Sequence, residues 1–430
     1  MHRLSQLIKE DMKPALGVTE PGAIAFAAAK ARSFTNGEIE NVTVTLNSGM
    51  YKNAFTCGIP NSDRIGNVFA AALGVVAGDS EKGLESLANV TPKDNAEAQK
   101  LVDEGKVGVK LSGISSDIFI EADVKTAADR CVVTIKHSHT NIVSIALNDK
   151  IVFKAEEAKS DLSETENGHE IHRYTLAQLV DYAKTVPIEE IEFIADAYTV
   201  NYELFKAGIN SSRTTFAPQL FKLNGEKVIS EDELNTAQLL CNAAIEARVI
   251  GLDKPAMSIT GSGAHGIIAT MPLYAVCKVR GLSDEELLRA TALSYLVCMY
   301  IKEYSGRLSA FCGCAIAAGT GMACGLVLLR KGSVEQMTNV INNMASGITG
   351  MICDGGNQGC TMKGIVAVDA VFRAVELAMS GVYIFSAHGI NGKTPERTME
   401  YMGRIASPGM IGTEKTIVEI FEEKLALDIK

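Results

Sequence analysis

The sequence has 430 residues, 47% of them hydrophobic and 21% charged, with a formal net charge of -10, which gives about two or three domain equivalents with a large core. That acidic balance, with no run of Lys or Arg, excludes a nucleic-acid surface, because phosphate binding needs clustered positive charge. Ten cysteines are spread through apolar segments rather than packed as in a short secreted scaffold, and the start MHRLSQLIKEDMKP carries Arg3, Lys9, Glu10 and Asp11 instead of a signal peptide's apolar core, so a reduced cytoplasmic setting is expected.

In chain order, LSQLIKEDM, PGAIAFAAAKARSF and RIGNVFAAALGVVAG carry apolar residues at helical spacing and end on Gly or Asn, so residues 1 to about 100 read as helices. Between the second and third, VTVTLNSGMYKNAF begins with an alternation that predicts one short strand. From Val107 to Phe153 the character changes. VGVKLSG, IFIEADV, CVVTIKHS, NIVSIAL and KIVFK are short β-branched runs separated by turn residues, which predicts a small sheet. A charged linker, KAEEAKSDLSETENGHE, closes it, and helical periodicity returns at TLAQLVDYAKTV and continues to the C-terminus. The fold class expected is mainly α with an inserted small α/β domain: a helical catalytic domain from 1–100 and 166–430, interrupted by 101–165. One stretch, Leu308 to Leu329, is uncharged and long enough to span a bilayer. Its Gly, Ala, Ser, Thr and Cys gain little from lipid and no aromatic belts flank it, so it reads as a small-residue helix or helix pair inside a protein core.

Four patterns carry chemistry. GSGAHG, Gly261 to Gly266, matches a dinucleotide fingerprint in form, but helix follows where a second strand and ribose-reading acid are needed. What survives is an anion nest at a helix N-terminus built on Ser262 and Gly263, or a plain tight turn between helices. In GVTEPGAIA, Thr19 reads as the N-cap, with Glu20 and Pro21 in the first turn. In KHSHTNI, strand alternation puts His137 and His139 on one face, to bind metal or move protons or simply as polar surface. The cysteines of FCGCAIAAGTG (Cys312, Cys314) and MICDGGNQGC (Cys353, Cys360) sit beside glycines that let backbone approach closely. Thiolates select soft metals and hold iron-sulfur clusters, whereas no paired C-x-x-C supports a zinc ribbon. Cys57, Cys131, Cys241, Cys277, Cys298 and Cys324 read as core thiols.

Through TEPGAIA, the KNA and IP of YKNAFTCGIP, HTNI, GSGAHG, LSAFCGCAIAAGTG and MICDGGNQGC, the sequence resembles the L-cysteine desulfidase family, relatives of the iron-sulfur L-serine dehydratase alpha chain. The resemblance implies an oxygen-sensitive lyase in which three cysteines bind a [4Fe-4S] cluster, and conversion of L-cysteine and water to pyruvate, ammonia and hydrogen sulfide. It implies one ligand in CGC, Cys312 before Cys314, and another at Cys353. The family's G-C-T-E-P cysteine is Val18 here, which leaves Cys360, or more remotely Cys57, as the substitute. The open iron would act as a Lewis acid toward the leaving group, and His139, His265 or Lys52 would take the α-proton. Thr19, Lys52, Asn53, Ser262 and Gly263 would clamp the carboxylate, Glu20 would hold the ammonium, and HTNI would add Thr140 and Asn141 to the substrate site. A homodimer acting on a small amino acid is implied, with the site where the helical parts meet the insertion. Three alternatives stand beside this: serine dehydratase activity, a cluster-free amino-acid-binding descendant on account of Val18, and a zinc-dependent lyase using His137, His139 and cysteines.

Overall fold

The computed structural model describes residues 1–155, 169–306 and 308–426; most of the charged linker expected at 154–170 lies outside them. The chain is mainly α with one small mixed sheet, the class the sequence predicts. The β-branched runs form strands Val107–Gly113, Phe119–Thr126, Arg130–Lys136, Ile142–Leu147 and Lys150–Lys154. The single strand expected earlier runs nine residues, Ile39–Asn47. It lies inside the sheet, parallel to Val107–Gly113 on one side and antiparallel to Phe119–Thr126 on the other. The sheet therefore draws one of its strands from outside 101–165.

Alternate residues of Phe119–Thr126 and Arg130–Lys136 are buried, and this apolar face packs on helix Thr19–Ser33. That helix is buried almost all round, because its alanines and Gly22 let neighbours approach from every side. Helices Glu233–Val249, Gly263–Arg280, Asp284–Ser305 and Gly319–Leu329 are buried in the same way and form the centre of the core. Peripheral helices such as Leu176–Thr185 and Pro395–Arg404 bury one stripe and carry Thr N-caps. The uncharged stretch 308–329 enters this core through a single π-helical turn, Cys314–Ala318, followed by Gly319–Leu329. Among the described residues no helix is long and apolar enough to cross a membrane.

A two-stranded ladder ties distant parts together: Lys13–Leu16 pairs antiparallel with Pro255–Ser258. TEPG and GSGAHG leave this antiparallel ladder at opposite ends, and turns of positive φ at Gly17, Thr260 and Gly261 bring them back together.

Candidate active site

Helix Thr19–Ser33 begins one residue earlier than a Thr19 cap would require, so Val18 is the N-cap and Thr19 lies in the first turn. The Thr19 hydroxyl instead donates to the carbonyl of Gly261, 3.3 Å away. Glu20 is held at the positive end of this helix, where it accepts from Asn53 Nδ2 at 2.9 Å and lies 3.7 Å from His139 Nε2. Burial alone would raise the Glu20 carboxyl, but His139, Asn53 and the charge of Arg248 overcome it and hold the group at about 2. Glu20 is therefore a fixed negative charge at neutral pH.

His139 reaches this position because the strand expectation fails at its end. Strand Arg130–Lys136 stops one residue before His137, whose φ of 70° reverses the chain. His137 turns outward with Thr140 and Asn141, while His139 turns in, only 7% exposed. Asn141 Nδ2 donates back to the Lys136 carbonyl at 3.0 Å, and neither it nor Thr140 lines the cavity described below. His137 and His139 do not share a face, which removes the paired-histidine zinc site.

The GSGAHG segment is built around backbone strain. Thr260, β-branched, has φ of 52°, a conformation that persists only where surroundings impose it. Here the Thr260 amide donates to Asp11 and its hydroxyl contacts His265 Nδ1 at 2.6 Å. Burial, then Lys302 and Arg248, push the His265 imidazole well below its usual range, so it stays neutral. Gly313, the centre of CGC, makes room for that ring: a Cβ there would stand 2.6 Å from His265 Nε2.

The two cysteine motifs lie side by side. Phe311 and Ile352 form an isolated antiparallel bridge, the Cys312 amide donates to Met351 at 2.8 Å, and the Cys353 amide donates to Ala310 at 2.6 Å. The Cys314 thiol beside Cys312 draws that thiol down to about 7 against burial, and is itself raised. Burial pushes Cys353 up, and Cys360 up to about 11 although Lys363 opposes it. All ten cysteines are free, and Cys57 is sealed in the core with its thiol against the Ala54 carbonyl.

These segments line one small, partly open cavity of about 70 Å³. Of the residues expected from sequence, Val18, Glu20, Asn53, His139, Ser262, His265, Cys314, Cys353 and Cys360 line it. Gly263 begins the helix beneath it. Cys312 and Lys52 stand behind the wall. Lys52 donates to the Ser309 carbonyl at 3.1 Å and pairs with Glu414 at 2.6 Å, both side chains buried. Two charged wall residues were not expected from sequence, Arg248 and Lys302. Burial lowers the Lys302 amine from its usual range, and its Nζ lies 5.7 Å from the centre of the Phe311 ring. The only sequence signal for either is a lone cation inside an otherwise apolar helical run. A larger groove of about 1010 Å³, bordered by Asp63, Arg64, Asp103 and Arg213, has no thiol or imidazole in its lining.

A serine dehydratase alpha chain model matches residues 81–419. The chain belongs to the serine dehydratase alpha chain family. Relatives extend the likeness over the full length: a UPF0597 protein of Clostridium botulinum (strain Hall) is 38% identical over 97% of both chains. Another from Caldanaerobacter subterraneus is 37% identical over 98% of both. A UPF0597 protein of Clostridioides difficile is 32% identical over 98% of this chain and all of its own.

The cluster implied by the resemblance can be tested against these side chains. Cys314, Cys353 and Cys360 share one cavity, but at the corner supplied by TEPG the side chain is the isopropyl group of Val18, packed against Gly356. Among the described residues no three His, Cys, Asp or Glu side chains are grouped to hold a metal ion. The residues present do not fit the three-thiolate arrangement with a ligand at position 18.

Proposed function

We propose that the cavity binds a small L-amino acid bearing a β-substituent and eliminates that substituent, L-cysteine in preference to L-serine. The observation that carries the reading is the joining, around one cavity, of a carboxylate held well below its ordinary range (Glu20), a buried amine whose charged form is disfavoured (Lys302) and the thiols of both C-terminal motifs. Family membership supports lyase chemistry.

In this proposal Glu20, positioned by Asn53 and His139, holds the substrate ammonium. Lys302, whose amine burial lowers from its usual range, takes the α-proton. His265 is pushed too low to compete, and Lys52 is committed to Glu414 and the Ser309 carbonyl. The electrons of the broken Cα–H bond form the Cα=Cβ bond as the Cβ–S bond breaks, and thiolate leaves with its pair. The aminoacrylate gains a proton at Cβ, and water hydrolyses the resulting imine to pyruvate and ammonia. Hydrosulfide, the base of hydrogen sulfide, is a far weaker base than hydroxide, whose acid is near 15.7, and so leaves more readily, which favours cysteine. The working unit proposed is a cytoplasmic homodimer; the half-exposed Met362, Val366 and Leu377, one stripe of helix Gly359–Met379, support pairing of two copies.

The test is the rate of pyruvate formation from each amino acid by anaerobically purified full-length protein. A higher kcat/KM with L-cysteine than with L-serine is expected, and a preference for serine would contradict the leaving-group argument. A second reading, a protein that binds the amino acid without turning it over, is favoured by Val18. Stabilisation by both amino acids with no product from either would establish it instead.

A further inference from the structure

Resting on the amino-acid reading above, the geometry points to Arg248 as the group that recognises the ligand's α-carboxylate, and so to a free amino acid rather than an amide, ester or peptide. Arg248 closes helix Glu233–Val249 and lines the cavity while only 4% exposed. Its Nε is buried with no hydrogen-bond partner. A buried guanidinium donor left unsatisfied costs free energy until an acceptor arrives. Glu20 does not fill that place: it is engaged by Asn53 and His139, and feels Arg248 only through space.

The adjoining wall is built for the same anion. Gly263 opens the 18-residue helix Gly263–Arg280, and a Cβ on Gly263 would stand 2.7 Å from Arg248 Nε. The absence of a side chain there lets the guanidinium lie against the helix start, where unpaired amides and the dipole also favour negative charge. Ser262 precedes them without a side-chain cap bond. A second buried atom, His139 Nε2, makes no hydrogen bond and lies 3.7 Å from Glu20 in the same cavity. A cation with an open donor and an anion with an imidazole beside it complement the two ends of a zwitterion. With those ends fixed, the β-substituent is left to face Lys302 and the thiol wall.

Calorimetric titration of the full-length protein with L-alanine, L-alaninamide and propionate tests this, because none of the three has a leaving group. The unaltered protein should bind L-alanine at least about a hundredfold tighter than its amide, as expected for a desolvated charge pair. Arg248→Gln should erase that preference while Arg248→Lys keeps part of it. Equal affinity for acid and amide in the unaltered protein, which needs no variant to fold, would overturn the assignment, as would a folded Arg248→Gln protein that keeps the preference. Binding of L-alanine through Arg248 without product from cysteine or serine would sink the lyase reading and leave this one standing. Binding of propionate but not L-alanine, lost in Arg248→Gln, would uphold the clamp and refute the amino-acid reading.

Discussion

At the scale of single residues, chemistry is set by what shares the cavity, and motifs revealed only part of that. Glu20, Asn53, His139, Ser262, His265 and the thiols were legible because they stand in short, unusual strings. Arg248 and Lys302 were not, because a lone cation at helical spacing has the same pattern whether it faces solvent or a buried cavity. Thr19 was misplaced by one position, since Val18 has the extended backbone of a cap without a capping side chain. Glu20 supports a pH prediction. Its folded value, about 2, is below the ordinary 4.5, so its contribution is present above the ordinary value and is lost as pH falls through the lowered one. The stability advantage over Glu20→Gln should be on the order of 3 kcal/mol at neutral pH, and should vanish in denaturation curves taken between about pH 4.5 and 2. An advantage that does not change with pH would remove Glu20 as a fixed charge. Val18→Cys places a fourth thiol on the wall. After anaerobic reconstitution it should hold more iron per chain than the unaltered protein, and equal iron contents would show that position 18 is not what limits metal binding.

At the scale of elements, the strands were readable from β-branched runs, but their pairing was not. Ile39–Asn47 gains partners on both sides from residues more than sixty positions away, which local alternation does not encode. The same limit hid the turn at His137, where a left-handed residue ends the strand and parts the two histidines, so that His139 alone faces inward. Two contacts between elements are open to test. Gly313→Ala drives a methyl toward His265 and should cost about 1 to 3 kcal/mol by overpacking, read as a lower thermal midpoint together with weakened amino-acid binding. An unchanged midpoint would mean that CGC does not press on GSGAHG. The Lys52–Glu414 pair fastens the C-terminal helix Ile411–Ala426 behind the Ser309 wall. Glu414→Ala strands a buried ammonium and should destabilise by about 3 to 5 kcal/mol. Adding Lys52→Met should recover part of that loss, and a double variant no better than the single one would contradict the pairing.

At the scale of the whole molecule, the site is a product of topology. The ladder between Lys13–Leu16 and Pro255–Ser258, with the turns that follow each strand, brings TEPG to GSGAHG, the bridge at Phe311 and Ile352 brings the thiol motifs together, and the sheet presses HTNI against helix Thr19–Ser33. The fold class was legible because composition and periodicity change sharply near Val107 and again near Leu176. The convergence of five segments was not, since it is decided by pairings across hundreds of residues. Elimination in this shared cavity is most directly tested by measuring pyruvate and sulfide together when anaerobically purified full-length protein is given L-cysteine. The account predicts one pyruvate for each sulfide, with both lost in a folded Lys302→Met variant that still binds L-alanine. Absence of both products from unaltered protein that binds L-alanine, or their undiminished formation by the Lys302→Met variant, would contradict it.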